Sequence, residues 1–391
     1  MSGGIHSMNV LICNRHPHHS LGGSEIQCDL IAGYLHRRGH SVTYAALESE
    51  QNPRDVAYDT IAVPRVHLRS MMNVLRRDDP DLVYWRYNRN AFLRIALLCR
   101  ATGRRCVFSV SSPKDVEAWS FFTEPAGPWW SPEGIQGLLR QRVQQVMSRT
   151  SYEGFRYFDG VITLSMNLLQ RVPDEPFGPP QRAAIYNSMD HKSIAPFFWP
   201  RPYVAWVANL KQCKNPEHFL GLAHSLRDLP IDFLMAGAVQ HEGYAFVEHR
   251  QQLPENVFYL GPRSIAEVNG LLRGALCMVH TCDPEGFGNN FIQAWFQKTP
   301  TVSLYFDPDE LIETRRIGFC SRTPARFSAH VRRLYEEPRL RRQMGRRARE
   351  FAQRTFDPKT NLARYEEFFW RVLGDGDFGI TPRQNPRSSR R

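Results

Sequence analysis

Short apolar runs recur along this chain, and between them apolar residues return every three or four positions. Residues 9–13 (NVLIC) make the first run and predict a strand buried on both faces. After a loop rich in histidine and glycine, residues 25–38 carry Ile26, Leu30, Ile31, Tyr34 and Leu35 on one face, the spacing of a helix, which Gly39 closes. Further strands are predicted at 41–45, 81–85, 106–110 and 160–163, with helical patterns between them. Strands alternating with helices imply a parallel sheet wound on both sides.

The pattern restarts after residue 200. Strands are predicted at 203–208, 233–236, 257–259, 276–280 and 301–304, with helices at 216–226 and 265–273. Residues 190–202 (DHKSIAPFFWPRP) hold three prolines and little periodicity, as a linker does. Residues 338–373 read as long, charged and helical, and their last turns carry Tyr365, Phe368, Phe369 and Trp370. The expected fold class is therefore α/β: two Rossmann-like, doubly wound parallel-sheet domains facing a cleft. The first covers 8–189, the linker 190–202 and the second 203–355; a helix at 356–373 follows, then a basic tail at 374–391 expected to be disordered. Ligands of such sheets bind beyond the strand C-termini, so the loops that follow strands are the candidates for chemistry.

Composition changes this picture little. With 42% hydrophobic and 23% charged residues, the chain is globular, not disordered. It has no apolar run of membrane-spanning length, and residues 1–7 lack the layout of a signal peptide. Eight scattered cysteines without a CxxC pair are expected to be reduced and buried, pointing to a cytoplasmic location and away from a disulfide or zinc framework. The net charge of +11 has more to say. No nucleic-acid motif accompanies it, so nucleic acid is not expected as a partner; phosphate-bearing ligands and an anionic membrane face, reached peripherally, are.

The most informative segment runs from Asp283 to Trp295. It joins a predicted strand to an apolar helix beginning near Phe291, and its glycines allow close backbone approach. Free N–H groups at a helix start attract phosphate, and a carboxylate such as Glu285 accepts bonds from sugar hydroxyls. Spacing alone leaves this equally readable as an ordinary strand-to-helix turn. Glu285-Gly-Phe-Gly, with Gln293 after seven intervening residues and Lys298-Thr-Pro-Thr-Val beyond, resembles the E-x7-E stretch of retaining family-4 glycosyltransferases with the GT-B fold. In that family the first acid binds the donor sugar and the second binds the ribose. Here the second position is an amide, Gln293, which can both donate and accept but brings no charge. A second stretch, Trp206 to Glu217, resembles the family's strand-turn whose Arg and Lys grip the donor diphosphate. Lys214 stands at the lysine and Asn209 at the arginine, with Lys211 as a substitute cation.

The resemblance implies transfer, with retention, of a hexosyl unit from a nucleotide diphosphate sugar, UDP favoured over GDP, to a hydroxyl of a glycan, lipid-linked or small-molecule acceptor. No cofactor and no metal are implied, because cations and helix N-termini neutralise the diphosphate. The implied donor contacts are Gly22, Gly23, Asn209, Lys211, Lys214, Glu285, Gly286, Phe287, Gly288, Asn289, Asn290 and Gln293. Gly22-Gly23-Ser24 resembles the family's glycine-rich loop, with Ser24 expected to cap the helix, and Asn187-Ser-Met-Asp190 resembles its exit turn from the first domain. The helix at 356–373 suits the family's crossover back to that domain. The catalytic candidates are Lys214 at the leaving diphosphate, Glu285 at the sugar, and Asp115 as the carboxylate nearest the position of the family's cleft histidine, where Ser112 stands here. The alternative reading of Asp115 is a helix-start acid after Pro113. His16, His18 and His19 could suggest a metal, but no acid or thiol is placed with them. The aromatics at 119–122 and 128–130 suit a membrane-interface loop, a sugar-stacking surface or local core. Two rivals share the architecture: a nucleotide-sugar binding protein with little catalysis, and a sugar-nucleotide epimerase.

Overall fold

A computed structural model describes residues 7–19, 22–87, 91–118, 132–174, 176–283 and 285–374. In chain order the first domain comprises β1 (Asn9–Asn14), α1 (Gly23–Arg37), β2 (Ser41–Leu47), β3 (Asp59–Val63), α2 (Leu68–Asp78), β4 (Leu82–Trp85), α3 (Phe92–Ala101), β5 (Arg105–Val110), α4 (Pro132–Tyr152), β6 (Gly160–Thr163), α5 (Met166–Leu169) and β7 (Gln181–Ala184). Its strands lie in the order β3-β2-β1-β4-β5-β6-β7, all parallel. The second comprises β8 (Tyr203–Val207), α6 (Pro216–Ser225), β9 (Asp232–Ala236), β10 (Val257–Tyr259), α7 (Ile265–Gly274), β11 (Met278–His280), α8 (Asn289–Phe296), β12 (Thr301–Ser303), α9 (Leu311–Thr314), β13 (Gly318–Cys320), α10 (Pro324–Glu336) and α11 (Pro338–Thr355), with α12 (Pro358–Leu373) closing the described chain. Its sheet is also parallel, ordered β10-β9-β8-β11-β12-β13. The α/β class and the two facing Rossmann-like sheets expected from the apolar pattern are what the structure has.

The sequence reading missed β3, β7 and β13, and all three are sheet edges. An edge strand with little burial shows no long apolar run: every residue of β7 is at least partly accessible, and β13 has only three residues. The helical stretch 338–373 is divided between α11 and α12. Pro358 cannot donate to a continuing helix, and the Asp357 carboxylate accepts from the Thr360 N–H at 2.9 Å as a new cap.

α12 leaves the second domain and packs into the first. Leu362, Tyr365, Phe368, Phe369 and Val372 join the core formed by β1, β4 and α1. Each fully buried Phe contributes roughly 1.5–3 kcal/mol. Glu366 anchors the helix, accepting from Tyr34 at 3.0 Å and Arg38 at 3.2 Å, with the His40 ring at 3.0 Å. A second crossing contact is Asp309, which accepts the Met166 and Asn167 N–H groups of α5 at 2.9 Å each and the Tyr186 hydroxyl at 2.8 Å. The proline-rich connection lies on α7, where Asn269 donates to the carbonyls of Asp190 and Ser193 at 2.9 Å. No helix among the described residues is long and apolar enough to cross a membrane.

Candidate active site between the two sheets

In each sheet the strand order reverses beside the central strand, between β1 and β4 and between β8 and β11. These are the switch points beyond whose C-termini α/β proteins bind ligands. Both open onto one interdomain cavity of about 540 Å³, whose walls include Gly22, Gly23, Arg86, Asn209, Lys214, Glu285 and Gln293. The segments that follow β1, β4, β8 and β11 all contribute to this crevice.

Local chemistry holds Lys214 at the floor. Thr281, just after β11, donates to the Lys214 carbonyl at 2.6 Å and accepts from Trp206 Nε1 at 2.9 Å. Asn215 takes a left-handed backbone (φ 46°) and donates to the Thr281 carbonyl at 3.1 Å. The turn after β8 is thereby tied to the end of β11, and Lys214 Nζ meets Glu285 Oε2 in an ion pair. The pair is shielded, with 20% and 17% of its side chains exposed. His280 Nε2 lies 3.6 Å from the same carboxylate oxygen. Burial works against the Glu285 charge, but His280 and Lys214 overcome it and hold the carboxyl far below its ordinary range. Burial likewise opposes the Lys214 charge, and Glu285 more than restores it. Burial pushes the His280 ring down, and Glu285 offsets this only in part.

The start of α8 forms the adjoining wall. Gly288 precedes it with φ 85°, a backbone that side chains rarely adopt. Asn289 and Asn290 are occupied structurally: Asn289 Oδ1 accepts from Asn187 at 2.7 Å, and Asn290 donates to the Val207 carbonyl at 3.0 Å. Their side chains therefore position the helix terminus, whose dipole and amide groups face the cavity. Gln293 follows one turn later, only 6% exposed and lining the cleft. Phe287 touches the cavity but is mainly packing, its ring 5.1 Å from Tyr186 and 5.5 Å from Phe356.

Across the cleft, a Cβ on Gly286 would stand 2.2 Å from the Ser111 carbonyl oxygen, so the two domains meet backbone to backbone there. A Cβ on Gly23 would stand 2.5 Å from the Asn289 amide. One expectation needs correction. Ser24 does not cap α1: Gly22 is the cap residue, and Ser24 instead donates to Glu25 at 2.7 Å. Asp115 sits in the turn that follows β5. Its carboxylate accepts the Ser111 and Ser112 N–H groups at 2.9 and 2.8 Å as part of a capping box, and it does not line the cavity. Lys211 is exposed and outside the cavity wall, and Asn209 lines it while its oxygen accepts from Ala238 N at 3.1 Å. The aromatic stretches at 119–122 and 128–130 lie outside the described residues.

One wall residue went unread in the sequence. Arg86, directly after β4, is 3% exposed and has no carboxylate partner among the described residues. It donates to Asn187 at 2.9 Å and keeps a buried Nε without a partner. Its signal in the sequence, a lone arginine after an apolar strand, differs little from that of a surface charge.

Of the histidines after β1, His18 and His19 are exposed and His16 is 1% exposed. Both His16 nitrogens are engaged, one with Tyr58 at 2.9 Å and the other with the His18 N–H at 3.3 Å. Burial lowers its pKa to about 4. The unfolded chain, near 6.5, takes up a proton first, so His16's contribution is present above pH 6.5 and lost as pH falls through 4. Urea melts at pH 7 and pH 4.5 should differ by roughly 2–3 kcal/mol from this residue, a difference that His16→Asn removes; equal pH slopes in both proteins would contradict the assignment.

Comparison with known proteins adds the following. Residues 191–351 match the family described as Glycosyl transferases group 1, a span that contains both the Lys214 turn and the Glu285–Gln293 segment. No curated protein sequence matches significantly. Among solved structures, the chain resembles Anabaena HepE in complex with UDP and glucose at 17% identity and TM-score 0.67, over 93% of this chain and 100% of that one. It resembles sucrose-phosphate synthase from Thermosynechococcus elongatus at 13% identity and TM-score 0.71, over 94% and 100%. A glycosyltransferase from Rickettsia africae aligns at 12% identity and TM-score 0.68, over 94% and 99%. At these identities the likeness is one of fold, and that fold is GT-B. The second domain carries the group 1 glycosyl transferase pattern.

Proposed function

We propose that this chain moves a hexosyl unit from a nucleotide diphosphate sugar to a hydroxyl acceptor, with retention of configuration. The observation that carries this reading is the shielded Lys214–Glu285 pair beside the start of α8, at the point where both sheets open into one cleft. Cleaving the glycosidic bond of the donor builds negative charge on the departing diphosphate. Lys214 and the α8 terminus present positive charge where that develops. Donor entry exchanges one partner for another: Lys214 turns from Glu285 to phosphate, and sugar hydroxyls then donate to the freed carboxylate. Neither buried charge is left unpaired, which keeps the exchange inexpensive.

In this reading Gln293 holds the ribose, and the Gly22–Gly23 backbone admits the phosphates from the first domain. With Asp115 committed to its cap, the leaving phosphate itself accepts the acceptor's proton in a front-face route. No metal is required, since the protein supplies the cations. UDP is preferred over GDP as the carrier, in keeping with the UDP and glucose named for the Anabaena structure. A glycan or lipid-linked acceptor is proposed, and the arginines along α11 suit an anionic membrane surface.

The test is a thermal-shift screen against UDP, GDP, ADP and their sugars, followed by product analysis with labelled donor. A ligand present at 100 times its Kd stabilises by about 2.7 kcal/mol. Stabilisation by a nucleotide sugar with transfer or slow donor hydrolysis is expected. Stabilisation with neither would favour a nucleotide-sugar binding protein, to which the tied-back Asn209 and the committed Asp115 lend support.

A further inference from the structure

We infer that His280, Cys282 and Glu285, joined by Cys213, form a site for a thiophilic divalent cation of the Zn²⁺ type, and that this cation and the nucleotide-sugar donor exclude one another. The second half rests on the proposed function; the first does not.

One ring nitrogen, the Cys282 sulfur and a Glu285 oxygen all lie within 4.8 Å of one another. A tetrahedral Zn²⁺, with bonds of about 2.0 Å to nitrogen and about 2.3 Å to sulfur, holds its ligand atoms roughly 3.5 Å apart. The three groups need close by only about an ångström, and the His280–Glu285 pair already stands at 3.6 Å. His280 ends β11 and Cys282 follows two residues later, the spacing that keeps two side chains on one side of an extended chain. The remaining His280 nitrogen faces Ser303 Oγ at 3.5 Å, the outer contact that fixes a metal-binding imidazole with its other nitrogen directed inward.

The fourth ligand comes from the Lys214 turn. Cys213 neighbours Cys282, and it alone of the eight cysteines is exposed, so it marks the entry side. Binding would release the two thiol protons to solvent and leave two thiolates, one carboxylate and a neutral imidazole around the cation. Lys214 must then leave Glu285, because the cation takes its place. Magnesium and calcium, which prefer all-oxygen shells, do not suit this donor set. The donor needs the same Lys214 and Glu285, so a bound cation removes both the diphosphate contact and the sugar contact at once.

The reduced full-length protein is titrated with Co²⁺, which reports thiolate ligation through charge-transfer absorption. One equivalent is expected, displaced by Zn²⁺ and indifferent to Mg²⁺. Cys282→Ser should abolish the thiolate band. Cys213→Ser, at an exposed position that spares the fold, should weaken Co²⁺ binding at least tenfold. The other six cysteines are buried and should give no band in the folded protein. Absence of the band in the wild type, or wild-type affinity in both cysteine variants, overturns the site. In a second arm, binding of labelled UDP and GDP is measured with and without Zn²⁺. Zn²⁺ should weaken nucleotide binding at least tenfold in the wild type and much less in Cys213→Ser. Undiminished nucleotide binding beside stoichiometric Zn²⁺ overturns the exclusion. A metal-free protein that binds neither nucleotide counts against the donor reading, and the cobalt titration still decides the cation site.

Discussion

Lys214→Ala should lower turnover with the preferred donor by roughly a hundredfold to a thousandfold, the loss that follows removal of one contact to developing negative charge. The same change leaves Glu285 shielded without its cation, and breaking a buried pair from one side costs about 3–5 kcal/mol. Stability and catalysis would therefore fall together, and a second variant separates them. Lys214→Met combined with Glu285→Gln removes both charges and should regain much of the lost stability while turnover stays low. Glu285 supports the reading through pH as well. Its carboxyl is depressed in the folded state, so its contribution is in place above the unfolded value near 4.3 and is lost only as pH falls through the folded one. Activity of the wild type should therefore show no acid limb from Glu285 near pH 4–5. Steady-state kinetics and urea melts on the three proteins decide the matter; a Lys214→Ala enzyme with wild-type turnover would end the site assignment.

Gly286→Val should reduce kcat/KM by about a hundredfold, the scale on which a misplacement of an ångström acts. The side chain would have to occupy space 2.2 Å from the Ser111 carbonyl oxygen, a backbone atom fixed between β5 and its capped turn. Each domain can still fold, since the contact lies between them, but they can no longer meet in this arrangement. Small-angle scattering should show a larger radius of gyration together with the kinetic loss. Gly221→Ala on α6 is the control. Its new methyl meets nothing within 4 Å and lies away from the cleft, so its effect should be much smaller. Equal kinetic losses in the two variants would show that close backbone approach at Gly286 is not what matters.

The contrast between these glycines shows where the sequence stops informing. Glu285-Gly-Phe-Gly could be read as a strand-to-helix turn with room for a ligand, because turn glycines and a carboxylate leave a local signature. That Gly286 rests on the loop after β5 could not be read, since nothing in residues 283–288 specifies what lies opposite. Asp115 is a second case: a carboxylate three residues after Ser112 suits both a base and a capping box, and the bonds to Ser111 and Ser112 show that the capping box forms.

What the chain's own order of residues determined was what depends on short windows: the buried central strands, the amphipathic helices between them and the parallel two-sheet class. Burial on both faces writes a continuous apolar run, and a helix writes its period, so these are legible without coordinates. Tertiary structure alone decided which of these segments meet. Lys214 and Glu285 are 71 residues apart, and they pair because β8 and β11 are neighbours in the sheet. Arg86 enters the same cleft because β4 lies beside β1, and Cys213 reaches Cys282 by the same adjacency that joins Lys214 to Glu285. Sheet order is set by the packing of the whole core, a sum of many weak non-local contacts, and no local pattern encodes it.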